Sequence, residues 1–246
     1  MTRVFILCFL IFPLSCSSQD SEHIVIIGVA EANRLSIAKG LEKLCLMQPK
    51  VVGVNLFFLE ETTQSHDAAL MTSIYNCESI VMASSLIDVA PINGGGLEIE
   101  HSLDVLVVDK IEGFTNFIPE SKDSGIPKYV STFEIVENAK EHHFSIQVAI
   151  MFDSLKTSDF LVNHGKILAI DYRQGKRQFT KITLDQLFSN DFDSKILKDK
   201  IVLVGYLGPS NEDEFMIPLK YDAKSTKHAM YSTEILANLI EQILER

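Results

Sequence analysis

Short, unbroken apolar runs alternate with amphipathic stretches along much of the chain. Residues 24–29 (IVIIGV) are apolar throughout, the pattern of a strand covered on both faces in a parallel sheet. Asn33 stands where a helix N-cap is wanted. Leu35, Ala38, Leu41, Leu44 and Cys45 then recur at spacings of three and four until Pro49 ends the pattern. Residues 51–59 (VVGVNLFFL) predict a second buried strand, 67–75 a second helix and 79–83 (SIVMA) a third strand. Strand, helix, strand, helix, strand is the alternation that builds a parallel sheet through right-handed crossovers.

The middle of the chain is less regular. Residues 91–96 (PINGGG) predict a loop and 103–108 a strand, while 110–128, with Gly113, Pro119, Gly125 and Pro127, read mostly as loop. Residues 144–152 (FSIQVAIMF) fit either period: alternation groups Phe144, Ile146, Val148 and Ile150, and a helix groups Phe144, Val148, Met151 and Leu155. A strand over 167–172 and a short helix over 184–188 follow. Residues 201–206 (IVLVGY) form the last predicted strand, and 233–244 a terminal helix with Ile235, Leu236, Leu239, Ile240 and Ile243 on one face. Between them lie Leu207-Gly208-Pro209 and an acidic cluster, Glu212-Asp213-Glu214. Carboxylates are thus delivered at the C-terminal end of a buried strand, where open α/β sheets hold their ligands. No internal repeat is present. The expectation is a single α/β domain, a mostly parallel sheet with flanking helices in three layers.

Composition narrows the function classes. With 246 residues, 46% of them hydrophobic, the chain has ample material for a core. Its formal charge of −11 argues against a nucleic-acid surface, which needs a basic patch. The nearest approach to one, Arg173, Lys176, Arg177 and Lys181, reads as a solvated rim.

The first residues read as a targeting segment. Arg3 is a minimal basic region, and residues 4–14 (VFILCFLIFPL) are an apolar stretch too short to span a bilayer. Leu14-Ser15-Cys16-Ser17-Ser18 then resembles a bacterial lipoprotein signal, with Pro13 where an aliphatic residue is usual. This assigns 1–15 to a signal peptide and makes Cys16 the lipidated first mature residue; the alternative is an ordinary cleavage near Ser17 or Ser18. The expected mature chain is exported and anchored by lipid to a bacterial envelope membrane, facing the periplasm or exterior. Cys45 and Cys77 read as two buried thiols, although an exported compartment also permits a disulfide.

Four blocks then carry a family resemblance: IVIIGVAEA (24–32); PKVVGVNLFF (49–58) with Asp67-Ala68-Ala69-Leu70; ILAIDYRQG (167–175) with FTKITLDQLF; and LKDKIVLVGYLG with EDEFMIPL and EILANL. In this order they resemble the second type of CHASE domain, an extracellular sensory domain associated with cyclases and histidine kinases. The resemblance spans residues 22–243, and the last block is its most specific part. It implies an exported, ligand-sensing module without catalysis and without a cofactor, and a helix for the ambiguous 144–152 segment. The sequence departs from the family pattern in four places. One carboxylate of an acidic pair is missing at Ala30-Glu31, and Asn55 stands for Asp. Asn116 stands for Arg in the element at 109–116, and Leu236 for His in the terminal helix. Relatives continue into membrane helices and an output domain, whereas this sequence stops at Arg246, so the expectation is a sensory half whose signal passes in trans.

The candidate ligand-binding residues are Glu31, Asn55 and Asp213, each at or just past the C-terminal end of an apolar strand. If those strands are neighbours, an amide and two carboxylates converge on one crevice suited to a small polar or cationic ligand. The alternative is that Glu31 and Asp213 cap helices or satisfy loop amides. No metal site is expected, since the acidic cluster lacks calcium-loop spacing. Adjacent His142 and His143 read as surface or packing residues. No nucleophile elbow or phosphate loop is present. The two other readings are a structural or partner-binding envelope lipoprotein with a degenerate ligand site, and an unrecognised envelope hydrolase.

Overall fold

The computed structural model describes residues 21, 23–89, 96–121, 124–172, 179–210, 213–217 and 229–245. The expected leader, Cys16, the loop at 91–95 and three of the four cations of the basic rim lie outside the described residues.

The first third follows the predicted alternation: β1 (Ile24–Val29), α1 (Arg34–Leu46), β2 (Val51–Asn55), α2 (Gln64–Tyr75) and β3 (Ile80–Val89). Asn33 caps α1, its Oδ1 accepting from Ser36 N at 2.9 Å. β2 stops at Asn55, earlier than expected, and Leu59 is exposed. β3 runs past the predicted Ala83 because its second half has a pairing partner of its own. Its first half pairs in parallel with β5 (Ile111–Phe114), its second half antiparallel with β4 (Gly96–Glu100).

Two expectations for the middle are corrected. Residues 103–108 are not a strand; they form a short helix, α3 (Asp104–Val107), in which only Leu106 is buried. One buried position in four gives alternation nothing to hold, and Asp104 in the first turn favours a helix. Residues 110–128 are not mostly loop, because they contain β5, β6 (Ile118–Pro119) and the start of β7 (Pro127–Ser131). Gly113 looked like a turn residue but is a packing residue: a Cβ there would sit 2.6 Å from Phe144 Cα. The ambiguous segment is helical, α4 (Phe144–Phe152), and follows the hairpin of β8 (Phe133–Val136) and β9 (Ala139–His142).

The remaining elements are α5 (Ser154–Asn163), β10 (Ile167–Ala169), β11 (Thr180–Thr183), α6 (Leu184–Phe188), β12 (Ile201–Tyr206), β13 (Glu214–Met216), β14 (Ala229–Tyr231) and α7 (Ser232–Leu244). The main sheet is ordered β11-β1-β12-β2-β3-β4, with β5 beside β3, and every pairing in it except β3 with β4 is parallel. A small sheet, β10-β7-β6, lies apart from it. Alternate strand residues feed two cores. Ile24, Ile26, Val51, Ile201 and Leu203 pack with α4 and α7, and Val25, Ile27, Val52, Val202 and Val204 with α1 and α2.

Cys45 and Cys77 are joined by a disulfide with a Cα–Cα distance of 5.7 Å, which corrects the reading as free thiols. Periodicity places each cysteine only on its own helix end. Their meeting depends on α1 packing against α2 on one face of the sheet, which no local pattern encodes.

α7 is a deeply enclosed helix: each of its residues except Glu234 is buried. Its apolar side faces the main sheet. Its polar side holds the backbone beyond β10, where Asn238 Nδ2 donates to Asp171 O at 3.1 Å, Gln242 Nε2 donates to Ala169 O at 2.9 Å and Gln242 Oε1 accepts from Asp171 N at 2.9 Å. The close approach of α7 to β12 requires Gly205, since a Cβ there would overlap the Thr233 side chain. Gly205→Ala is expected to lower stability by about 1–3 kcal/mol. Gly165→Ala, where an added Cβ meets nothing within 4 Å, should stay within about 0.5 kcal/mol of wild type. Urea unfolding midpoints measure both.

Candidate functional site

The C-terminal edge of the sheet is in register across three strands: Gly28 of β1 lies opposite Gly205 of β12, and Gly205 opposite Asn55 of β2. The three strand ends named by the sequence are therefore neighbours. A parallel sheet aligns its C-terminal ends along one edge, and the loops leaving them meet there.

Asn55 is buried and gives both amide hydrogens to α7. Its Nδ2 donates to Ser232 Oγ at 2.8 Å and to Thr233 Oγ1 at 2.9 Å. Ser232 Oγ in turn donates to Asp213 Oδ2 at 2.6 Å, and Ser232 N donates to Asp213 O at 3.0 Å. Asn55, Ser232 and Asp213 thus form a directed chain of hydrogen bonds across the sheet edge. Burial pushes the Asp213 carboxyl above its ordinary range, and the Ser232 hydroxyl works weakly against that. Glu31 takes no part in this chain. It lies exposed just past β1. The fold joins two of the three sequence-predicted residues and leaves the third at the rim.

Two tyrosines wall the same edge. Tyr206, at the end of β12, accepts from Ser210 N at 3.0 Å through its hydroxyl, and Tyr231 donates its hydroxyl to Gly208 O at 2.5 Å. Their rings meet edge to face at 6.2 Å. Glu234 accepts from Tyr231 N at 3.1 Å and pairs with Lys181 of β11, which fixes the first turn of α7 against the outer strand.

On the α1 side of this edge, Arg34 Nη1 meets Asp67 Oδ1 at 2.5 Å, and Arg34 Nη2 donates to Glu60 O at 2.7 Å. Thr62 donates to Asp67 through both its amide, at 2.9 Å, and its hydroxyl, at 2.7 Å. Arg34 and Thr62 together hold the Asp67 carboxyl down at about 2. These bonds tie the segment between β2 and α2 to the start of α1.

The sequence missed Ser232, Thr233 and both tyrosines. Ser-Thr-Glu before an apolar run marks only a helix start, which gives no sign of what the hydroxyls meet. Of the departures from the family pattern, Asn116 is engaged with β3, donating to Leu86 O at 3.0 Å and accepting from Leu86 N at 2.7 Å. Leu236 is wholly buried in the α7 core. His143 is a packing residue: it caps α4, accepting from Ser145 N at 3.2 Å, and burial pushes its pKa down to about 3. Among the described residues no group of three His, Cys, Asp or Glu side chains is set to hold a metal ion.

The CHASE2 domain family model matches residues 17–246, and the chain belongs to that family, whose members are extracellular sensory modules. Neither a curated protein nor a solved structure matches the chain.

The raised Asp213 pKa has a defined consequence for stability. Because the folded carboxyl holds its proton more tightly than the unfolded one, at 3.8, the native state binds more protons just above that pH, and stability falls as pH rises through the folded value. Asp213→Asn lacks this titration while its side-chain oxygen still accepts from Ser232. The variant should gain stability relative to wild type as pH rises from about 3.8 toward neutrality. Thermal unfolding midpoints across that window give the comparison, and a flat difference would remove Asp213 as a strained carboxylate.

Proposed function

We propose that this CHASE2-family chain is a non-catalytic, extracytoplasmic sensor. In this reading residues 22–243 form one three-layered domain that binds a small polar ligand at the C-terminal edge of the sheet. Glu31 reaches the ligand from the rim, and Asn55 and Asp213 meet it from within. The observation that carries the reading is the Asn55–Ser232–Asp213 chain of bonds, because it couples the sheet edge directly to the first turn of α7. A ligand that competes for the Asp213 carboxylate or the Asn55 amide alters how α7 is held.

Export is supported by the Cys45–Cys77 disulfide, since such bonds persist in oxidising compartments and are rare in the cytosol. Within the proposal, residues 1–15 are a signal peptide and Cys16 carries the lipid that anchors the chain to an envelope membrane. Among the described residues no helix is long and apolar enough to cross a membrane.

A second reading, a partner-binding envelope lipoprotein with a degenerate ligand site, draws support from the same geometry. Both Asn55 amide hydrogens already have partners within the fold, and Leu236 places an apolar side chain where relatives carry His.

Two measurements separate these readings. Fractionated envelope metabolites are added to the purified full-length protein and its melting temperature is followed. A sensor shows at least one fraction that raises it, by roughly 2.7 kcal/mol of stability at a hundredfold excess over the dissociation constant, and Glu31→Gln with Asp213→Asn abolishes the effect. Co-purification of one stoichiometric protein partner with no stabilising fraction favours the second reading. Incorporation of labelled palmitate into wild type and into Cys16→Ala tests the anchor, which predicts label in the first alone.

A further inference from the structure

The strands of the parallel part of the main sheet start in register. Ile24 of β1 lies opposite Ile201 of β12, Ile201 opposite Val51 of β2, Val52 opposite Ile80 of β3, and Val81 opposite Ile111 of β5. Their first residues form one edge, at the other end of the strands from Asn55. The segments that enter it are bonded to one another: Ile201 N donates to His23 O at 2.8 Å, and Lys50 N to Lys200 O at 2.8 Å.

This edge differs from the rest of the molecule in charge. A lysine stands directly before β2, β5 and β12, and no acid stands directly before any of the parallel strands. The three residues entering β2, β3, β5 and β12 hold four lysines, Lys50, Lys110, Lys198 and Lys200, against Glu78, Asp109 and Asp199. That balance is slightly cationic, on a chain whose formal charge is −11.

The same edge carries exposed apolar side chains. α1 and α2 run back from the opposite edge and end here, at Leu46 and Tyr75. The Lys110 ammonium lies 5.6 Å from the Tyr75 ring and donates to Tyr75 O and Cys77 O, which steadies the tyrosine. With Met71, Val105 and Val108, Tyr75 lines a groove of about 350 Å³. α4 also ends here: the Phe152 ring is 5.6 Å from His23 and 4.3 Å from the Lys50 ammonium, and Leu155 follows in the first turn of α5. Leu46, Tyr75, Val108 and Leu155 are each 60% exposed or more; among the described residues the one other large apolar side chain so exposed is Val162. Aliphatic and tyrosyl side chains set among lysines suit a lipid headgroup layer, where apolar parts reach the acyl boundary and ammonium groups meet phosphates.

The tether selects this occupant. Ser21 is held at the same edge by its hydroxyl, which bonds to Glu241 near the end of α7 and accepts from Ile24 N at 3.1 Å. Cys16 is five residues before Ser21, at most about 18 Å of chain. A lipid on Cys16 therefore holds this edge, and not the opposite one, beside the bilayer.

We propose that the N-terminal edge of the sheet is a membrane-apposed face: Lys50 and Lys198 meet anionic phospholipid headgroups, and Leu46, Tyr75, Val108 and Leu155 enter the headgroup layer. The proposal rests on the anchor at Cys16 and goes beyond it, since an anchor alone fixes no orientation. It sets Asn55 and Asp213 on the side turned away from the bilayer.

The chain has no tryptophan, so a single introduced indole reports alone. Full-length protein is reconstituted on vesicles of phosphatidylethanolamine and phosphatidylglycerol whose acyl chains carry bromine, a contact quencher. The emission of Tyr75→Trp should fall about twofold relative to unbrominated vesicles. That of Phe57→Trp, an exposed site beyond the opposite end of β2, should not change. Lys50→Gln with Lys198→Gln, both exposed, should lessen the quenching of Tyr75→Trp. Equal quenching at both positions, quenching at Phe57→Trp alone, or none at either in vesicle-bound protein would overturn the proposal and leave the anchor standing. Quenching that the lysine pair does not alter would overturn it too. Wild-type protein that takes up no palmitate and does not stay with the vesicles would overturn the anchor, and this proposal with it.

Discussion

The contact on which the rest of the molecule depends is the seating of α7 on β12 at Gly205. Without a side chain at that position, Thr233 and the first turn of the helix can lie directly on the sheet edge. The helix then covers Ile24, Ile26, Ile201 and Leu203, closing one of the two cores. The same placement sets Ser232 and Thr233 over Asn55, and points Asn238 and Gln242 at the backbone beyond β10. One steric permission thus positions an apolar face, a polar face and a helix start. Buried polar groups are costly unless bonded, so the hydrogen bonds of α7 fix its rotation and depth more narrowly than its apolar face could alone.

How much of this was legible follows from where each segment is buried. β1, β2 and β12 are covered on both faces, so their sequences are continuously apolar and stand out. The terminal helix was equally plain, predicted over 233–244 and observed from Ser232 to Leu244. β4, by contrast, alternates exposed and half-buried residues, and β5 carries a glycine whose role is to admit α4. Both signals resemble loop. The disulfide was illegible because it records the packing of α1 on α2.

The candidate site divides along the same line. Asn55 and Asp213 stood out as polar residues at or just past the ends of buried strands, and the fold does bring them together through Ser232. That Ser232 stands between them required knowing which way α7 folds back. Glu31 has the same sequence signature and ends at the rim, since its side chain leaves the strand beyond the last paired residue, Val29. A strand-end position thus predicts the edge on which a residue lies, while its partners depend on the helix that returns to that edge.

Native-state hydrogen exchange, read residue by residue, tests whether α7 holds the main sheet and the backbone at Ala169 and Asp171 together as one unit. The α7 amides from Ile235 to Ile243 should exchange as slowly as those of β12, opening only with global unfolding. Exchange of α7 in a separate, faster step, with β1, β2 and β12 still protected, would contradict it.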